Sequence, residues 1–113
     1  MSRYRISDLA QAELEQVREA YTTYFIRLSD PAKGRAWAQR FYRAYRQRIE
    51  ELKSNPYRYA ACSVFPFDSV ETEYRSFVVD WFTVFYTVEE DEDAFTVWHI
   101  RSSHSDSSRM IRP

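Results

Sequence analysis

The stretch Tyr74-Arg75-Ser76-Phe77-Val78-Val79-Asp80-Trp81-Phe82-Thr83-Val84-Phe85-Tyr86-Thr87-Val88 decides the fold. Val, Phe, Tyr, Trp and Thr fill it, residues that suit a pleated, half-buried surface, and the turn residue Asp80 interrupts it. It therefore reads as two strands, residues 74–79 and 81–88, joined by a tight turn. In the second strand Phe82, Val84, Tyr86 and Val88 share one face, while Trp81, Thr83, Phe85 and Thr87 share the other. The run Glu89-Glu90-Asp91-Glu92-Asp93 cannot be buried, so it reads as an exposed hairpin loop leading to a third strand, Ala94–Ser102.

Upstream the period changes. Ala10, Leu14, Val17, Tyr21, Tyr24, Phe25 and Leu28 recur at spacings of three and four, with Glu13, Glu15, Arg18 and Glu19 between them, which predicts an amphipathic helix. Tyr4 and Ile6 precede it as a short strand that ends at Ser7-Asp8, both good helix caps. Ser29-Asp30-Pro31 starts a second helix over residues 31–53, with Trp37, Phe41, Tyr45, Ile49 and Leu52 as its core stripe and Asn55-Pro56 as its stop. Gly34, the chain's one glycine, falls in the first turn, where it weakens the helix by about 1 kcal/mol relative to Ala. Two helices joined by so short a turn pack as an antiparallel hairpin.

Residues 57–72 follow neither period and read as a packed loop or a poorly formed strand. Residues 103–113 are polar and read as a flexible tail. The expectation is one α+β domain spanning residues 1–113: an N-terminal strand, then an antiparallel two-helix hairpin packed on one face of a small antiparallel sheet. Two helices cover only one face, so the other is expected to present aromatic surface from Trp81, Phe85 and Trp98.

At 113 residues, length allows one core, and 18% aromatic residues exclude a disordered chain. A net charge of −1 gives no overall attraction to nucleic acid or to an anionic membrane. The single cysteine, Cys62, excludes an intrachain disulfide and a cysteine zinc cage, which suits a reducing cytoplasm. With neither a signal-peptide pattern nor a spanning apolar run, a soluble cytoplasmic protein starting at its own Met is expected, with no membrane partner.

The segments, in order and spacing, resemble the RelE/ParE superfamily, toxins of type II toxin–antitoxin systems once grouped as plasmid stabilisation proteins. The resemblance runs over nearly the whole chain. Tyr4-Arg5-Ile6 with Ala10 and Leu14 is similar to the family's first strand and helix, and Asn55-Pro56 to its second-helix stop. Tyr74 to Val79 and Phe82 to Val88 are similar to its central hairpin, and Ile100, Arg101 and His104 loosely match its ending. The resemblance implies a growth-inhibiting toxin, neutralised by a cognate antitoxin protein, with no cofactor or metal and no specific DNA binding of its own without the antitoxin. Two targets are possible within the family: the ribosome, where members cleave messenger RNA, and DNA gyrase, which members inhibit by binding. A degenerate, non-toxic binding module is the third reading.

Departures from the family pattern bear on that choice. Thr83 stands where messenger-RNA-cleaving members carry an arginine, Ser105 and Ser107 stand where a second is usual, and no tyrosine follows in the tail. Attack by a 2′-hydroxyl needs a base and cationic donors for the phosphate, so these gaps favour a ParE-like, gyrase-directed toxin over a ribosome-dependent endoribonuclease. A sequence pI near 6.1 points the same way.

Ser103, His104, Ser105 and Asp106 carry the letters of a hydrolytic triad but are neighbours in sequence, which cannot converge. His99 and His104 lack a third ligand at a metal-binding spacing. Lys33, Arg35, Arg40, Arg43, Arg46, Arg48 and Lys53 set seven positive charges against Glu50 and Glu51 on the second helix, a local +5 in a chain of net −1. This is either a solvated helix face or a docking face for an acidic antitoxin or a nucleic-acid-bound target. Arg75 and Arg101 match the family pattern and, if on adjacent strands, share a face; each is either a salt-bridge partner or a target contact. The candidate target- or antitoxin-binding residues are thus Arg75, Arg101, His104, Arg40, Arg43 and Trp81, and no catalytic residue is identified.

Overall fold

Ser7 ends the first strand and begins the first helix: its Oγ accepts from the backbone N–H of Ala10 at 3.0 Å, and its own N–H donates to the Val97 carbonyl. The computed structural model describes residues 1–61 and 73–102. In them the chain runs β1 (Arg3–Ile6), α1 (Asp8–Arg27), α2 (Pro31–Ser54), β2 (Arg75–Val79), β3 (Phe82–Glu89), a 3₁₀ turn (Glu90–Glu92) and β4 (Ala94–Ser102). The expected elements form, and the helical hairpin lies on one face of a four-stranded sheet ordered β1-β4-β3-β2. Residues 62–72 and 103–113, which include most of the expected loop, the tail and His104, lie outside the described residues.

The sheet is mixed rather than wholly antiparallel. β2, β3 and β4 form an antiparallel meander, but β1 runs parallel to β4, with Arg3 opposite Ala94 and Ile6 opposite Val97. The reason lies in the path of α1. It does not double back over β1 but continues along the upper half of β4, where Glu13 Oε1 accepts from the Ile100 N–H at 2.8 Å and Ser7 Oγ donates to the Trp98 carbonyl. The hairpin then reverses the chain once and returns it to where β1 began, with the Ser2 N–H donating to the Lys53 carbonyl at 2.8 Å. From that end β2 sets off in β1's direction, and two tight reversals give β4 the same direction.

One core joins the layers. Ala10, Val17, Tyr21 and Phe25 from α1 and Ala38, Phe41, Tyr45, Ile49 and Leu52 from α2 pack on Phe77, Val84, Tyr86, Phe95, Val97 and Ile100 of the sheet. Trp37 is half-buried and Ala38 takes the fully buried place beside it, while Tyr24 and Leu28 stay exposed past the end of the sheet. Tyrosine hydroxyls at the core margin find partners: Tyr4 with Tyr45 at 2.8 Å, Tyr86 to the Pro56 carbonyl and Tyr42 to the Leu14 carbonyl. Burial pushes the Tyr45 and Tyr4 hydroxyls above the ordinary tyrosine pKa.

A bulge between the pairs Phe85–His99 and Tyr86–Val97 places Trp98 as the extra residue of β4. It lets both Val97 and Ile100 reach the core. On the opposite face Trp98 Nε1 donates to Thr87 Oγ1 at 2.7 Å, and the Thr87 and Thr96 hydroxyls donate to the two carboxylate oxygens of Glu89. The first of the five carboxylates is therefore a strand residue with a fixed role, and the exposed turn is confined to residues 90–93.

The two helices meet at Gly34. A Cβ there would lie 3.1 Å from the Tyr21 carbonyl oxygen and 3.2 Å from Thr22 Cα, both backbone atoms of α1. Turn chemistry is supplied elsewhere. Ser29, at φ 60°, takes the left-handed position after α1, with the Asp30 N–H donating to Phe25 O and the Ser29 N–H to Ile26 O. Asp30 then caps α2 and Pro31 opens it. Gly34→Ala is expected to lower stability by about 1 kcal/mol, because crowding against fixed backbone outweighs the gain in helix propensity. Ser29→Gly is expected to raise it by roughly 0.5 kcal/mol by relieving the left-handed strain. Thermal denaturation of both variants checks the pair; a rise for Gly34→Ala contradicts the close approach.

Candidate functional site

Five of the six candidate residues are described, His104 lying outside the described residues, and these five do not converge on one site. Arg75 lies on β2, the edge strand, opposite Tyr86 and hence on the core side of the sheet. Its Nη1 donates to the Tyr59 carbonyl at 2.6 Å, its Nη2 meets Glu73 at 3.0 Å, and its guanidinium sits 5.1 Å from the Tyr57 ring centre. At 17% side-chain exposure it clamps the chain after α2 onto the sheet. Arg101 lies on β4 opposite Thr83, beyond β3 and on the other face. The expected pairing of Arg75 and Arg101 on adjacent strands is thus overturned, since β3 separates them and their parities differ.

Arg101 reaches the free edge of β4, where its Nε lies 3.3 Å from Glu13 Oε2, and its Nη2 donates to His99 Nδ1. Burial, and then the Arg101 charge, hold the His99 pKa below its ordinary value. Among the described residues, the open face around Phe85, His99 and Thr83 therefore carries a guanidinium with a carboxylate partner and an imidazole whose pKa is held down. Transition-state stabilisation of a phosphoryl group asks for cationic donors without such partners.

Trp81 also departs from its expected place. Alternation puts it on the open face with Thr83 and Phe85, but it precedes β3 and follows Asp80, whose φ of 51° turns the chain. Its ring packs instead between the helices, 4.8 Å from Tyr21, 4.9 Å from Tyr24 and 5.6 Å from Trp37 between centroids. Arg40 locks the same corner: Nη2 meets Asp80 Oδ1 at 3.0 Å while the guanidinium lies 4.5 Å from the Trp37 ring centre. Burial, and next the Asp80 charge, push the neighbouring Tyr21 hydroxyl up to about 12. Beside Trp81, between α1 and the end of the sheet, lies a cleft of about 890 Å³ whose rim carries Glu13, Glu19, Arg27 and Arg101. Phe85 and Trp98 do lie on the open sheet face, Trp98 39% exposed.

Arg43 belongs to a different surface. On the side of the hairpin away from the sheet, α1 and α2 leave a trough of about 650 Å³. Leu14 and Tyr42 line it, with Arg18 from α1 and Arg43 and Arg46 from α2. A smaller hollow of about 230 Å³, lined by Arg35 and Ala38, shares Arg18, Gln39 and Tyr42 with it. The basic helix is thus divided by its partners. Lys53 meets Glu50, Arg48 bonds the Tyr59 hydroxyl and Arg40 meets Asp80. Among the described residues, no ion pair forms at Arg18, Arg35, Arg43 or Arg46. Glu15, the one carboxylate among the described residues that line the trough, accepts from Gln11 at 3.0 Å.

Arg18, on α1, escapes a reading fixed on the second helix alone, and Arg35 is counted in that helix's charge without being singled out. The available signal was a second stripe, Arg35, Gln39, Tyr42 and Arg46 at four, three and four, facing Leu14 and Arg18 across the hairpin. No group of three metal-ligating side chains occurs among the described residues, and no helix among them is long and apolar enough to cross a membrane.

Arg75→Ala is expected to cost about 1–2 kcal/mol, since the Tyr59 carbonyl loses a charge-assisted donor, whereas Arg43→Ala changes stability by less than about 0.5 kcal/mol. Urea unfolding of the two variants tests this, and equal midpoints would refute the clamp. For His99 the depressed folded pKa means that its contribution is complete above the unfolded value of about 6.5 and is lost as pH falls through the folded one. His99→Gln should therefore flatten the decline in melting temperature between pH 7 and 5; an unchanged slope would refute the depressed pKa.

The family model described as "ParE toxin of type II toxin-antitoxin system, parDE" matches residues 4–106. No curated protein matches the chain.

Proposed function

The chain belongs to the ParE toxin family of type II toxin–antitoxin systems, with a cognate antitoxin for partner, and we propose that it arrests growth by binding DNA gyrase in the cytoplasm rather than by cutting RNA. The observation that carries this reading is the state of the cations at the open sheet face. Arg101 is tied to Glu13 and His99, Thr83 occupies the register position opposite it, and Arg75 is turned to the other face. A phosphodiester-cleaving site needs a base and donors aimed at the developing charge. A binding surface needs neither. It needs apolar and aromatic area at the surface with fixed polar groups, which the exposed Trp98, the half-buried Phe85 and the Trp81 cleft supply.

Induced expression in a bacterium is expected to arrest growth with filamentation and a DNA-damage response, and primer extension on messenger RNA is expected to show no new ends. Codon-phased cuts within minutes of induction would replace this reading with a ribosome-dependent endoribonuclease. Absence of toxicity from a folded, expressed protein would make the chain a non-toxic binding module.

A further inference from the structure

We propose that the arginines on the outer side of the helical hairpin bind the phosphate backbone of duplex DNA without reading its sequence. That this duplex is the one gyrase works on rests on the target reading above; the existence of the contact does not. Arg18 comes from α1 and Arg35, Arg43 and Arg46 from α2, and none forms an ion pair among the described residues. Three other cations of α2 are engaged: Arg40 by Asp80, Arg48 by the Tyr59 hydroxyl and Lys53 by Glu50. Along the trough and the hollow beside it, Glu15 is the one carboxylate among the described lining residues, so four guanidiniums stand against a single negative charge.

Spacing and charge select the ligand. From Arg35 to Arg46 the helix rises about 16 Å, at roughly 1.5 Å per residue. One phosphate ion cannot bridge that length. Duplex DNA carries a negative charge for about every 1.7 Å of its axis and so offers several phosphates over it, and contacts of this kind carry no sequence information. Single strands bind through stacked bases as well as charge. The ring at the trough, Tyr42, is poorly placed for stacking: its hydroxyl donates to the Leu14 carbonyl at 2.6 Å, and it packs edge-on to Phe41 at 5.5 Å between centroids. The sheet-side cleft is poorer for any polyanion, because Glu13 and Glu19 stand at its rim and Glu13 already holds Arg101.

The test uses the purified full chain, without gyrase, and fluorescein-labelled duplexes of about 20 base pairs in two unrelated sequences. Four phosphate contacts predict that affinity falls roughly 100-fold between about 50 and 200 mM salt, equally for both duplexes. R43Q/R46Q removes two contacts and is expected to cut that fall to about tenfold. R3Q/R58Q alters net charge equally at exposed positions elsewhere and is expected to keep the full salt dependence. Phenylglyoxal modification of the wild-type chain needs no variant: the duplex is expected to shield Arg18, Arg35, Arg43 and Arg46 and to leave Arg3 and Arg58 reactive. Absence of binding at low salt, equal salt dependence in the two variant pairs, shielding elsewhere, preference for one sequence, or tighter binding of a single strand or of poly-glutamate would overturn the proposal. Because gyrase is absent, the contact can fail while the target reading stands; duplex binding without inhibition of gyrase would remove the target reading and leave the contact.

Discussion

The close approach of the two helices at Gly34 governs the rest of the molecule. With hydrogen where a Cβ would press on the backbone of Tyr21 and Thr22, the start of α2 settles directly on α1. That contact brings Trp37 within 6.1 Å of Phe25 and 6.0 Å of Tyr21, and the three rings receive Trp81 from the β2–β3 turn. Arg40, stacked on Trp37 and bonded to Asp80, closes the corner. From there the stripes Ala38–Phe41–Tyr45 and Tyr21–Val17–Ala10 descend over the sheet, and the side of the hairpin away from it becomes a trough.

The same arrangement sorts the charges. Cations beside the sheet are held by partners within the chain: Arg75 by Glu73 and the Tyr59 carbonyl, Arg101 by Glu13, Arg5 by Glu92 at 2.8 Å. Those on the outer hairpin, Arg18, Arg35, Arg43 and Arg46, form no ion pair among the described residues. A surface pair contributes little to stability, but a paired guanidinium is also less available to an incoming phosphate. The cations beside the sheet are thus poorly placed to receive a phosphate, and the hairpin rather than the sheet is the electropositive side.

Much of the fold was legible because its signals are local. The three-and-four spacing from Ala10 to Phe25, the Asp30-Pro31 cap and the Asn55-Pro56 stop each act within a few residues, so α1 and α2 fall where they were expected. Strand direction is not local. Periodicity fixes which face a residue occupies, not which way its strand runs, and the parallel β1 follows from α1 continuing past β1 along β4. Two backbone features defeated simple alternation: the left-handed Asp80, which swings Trp81 onto the helices, and the bulge at Trp98, which shifts parity within β4. Arg75 and Arg101 were separated for a related reason, since which strand lies between two others is a property of the whole sheet. The five carboxylates showed their charge but not that Glu89 would accept from Thr87 and Thr96.

The central claim is that this toxin disables its target by occupying it, and a stoichiometric titration tests that most directly. Purified chain added to a fixed amount of bacterial DNA gyrase in a supercoiling assay should remove activity in proportion to the molar ratio, reaching completion near a fixed small number of chains per gyrase. Full supercoiling at a large excess of folded chain would contradict the account.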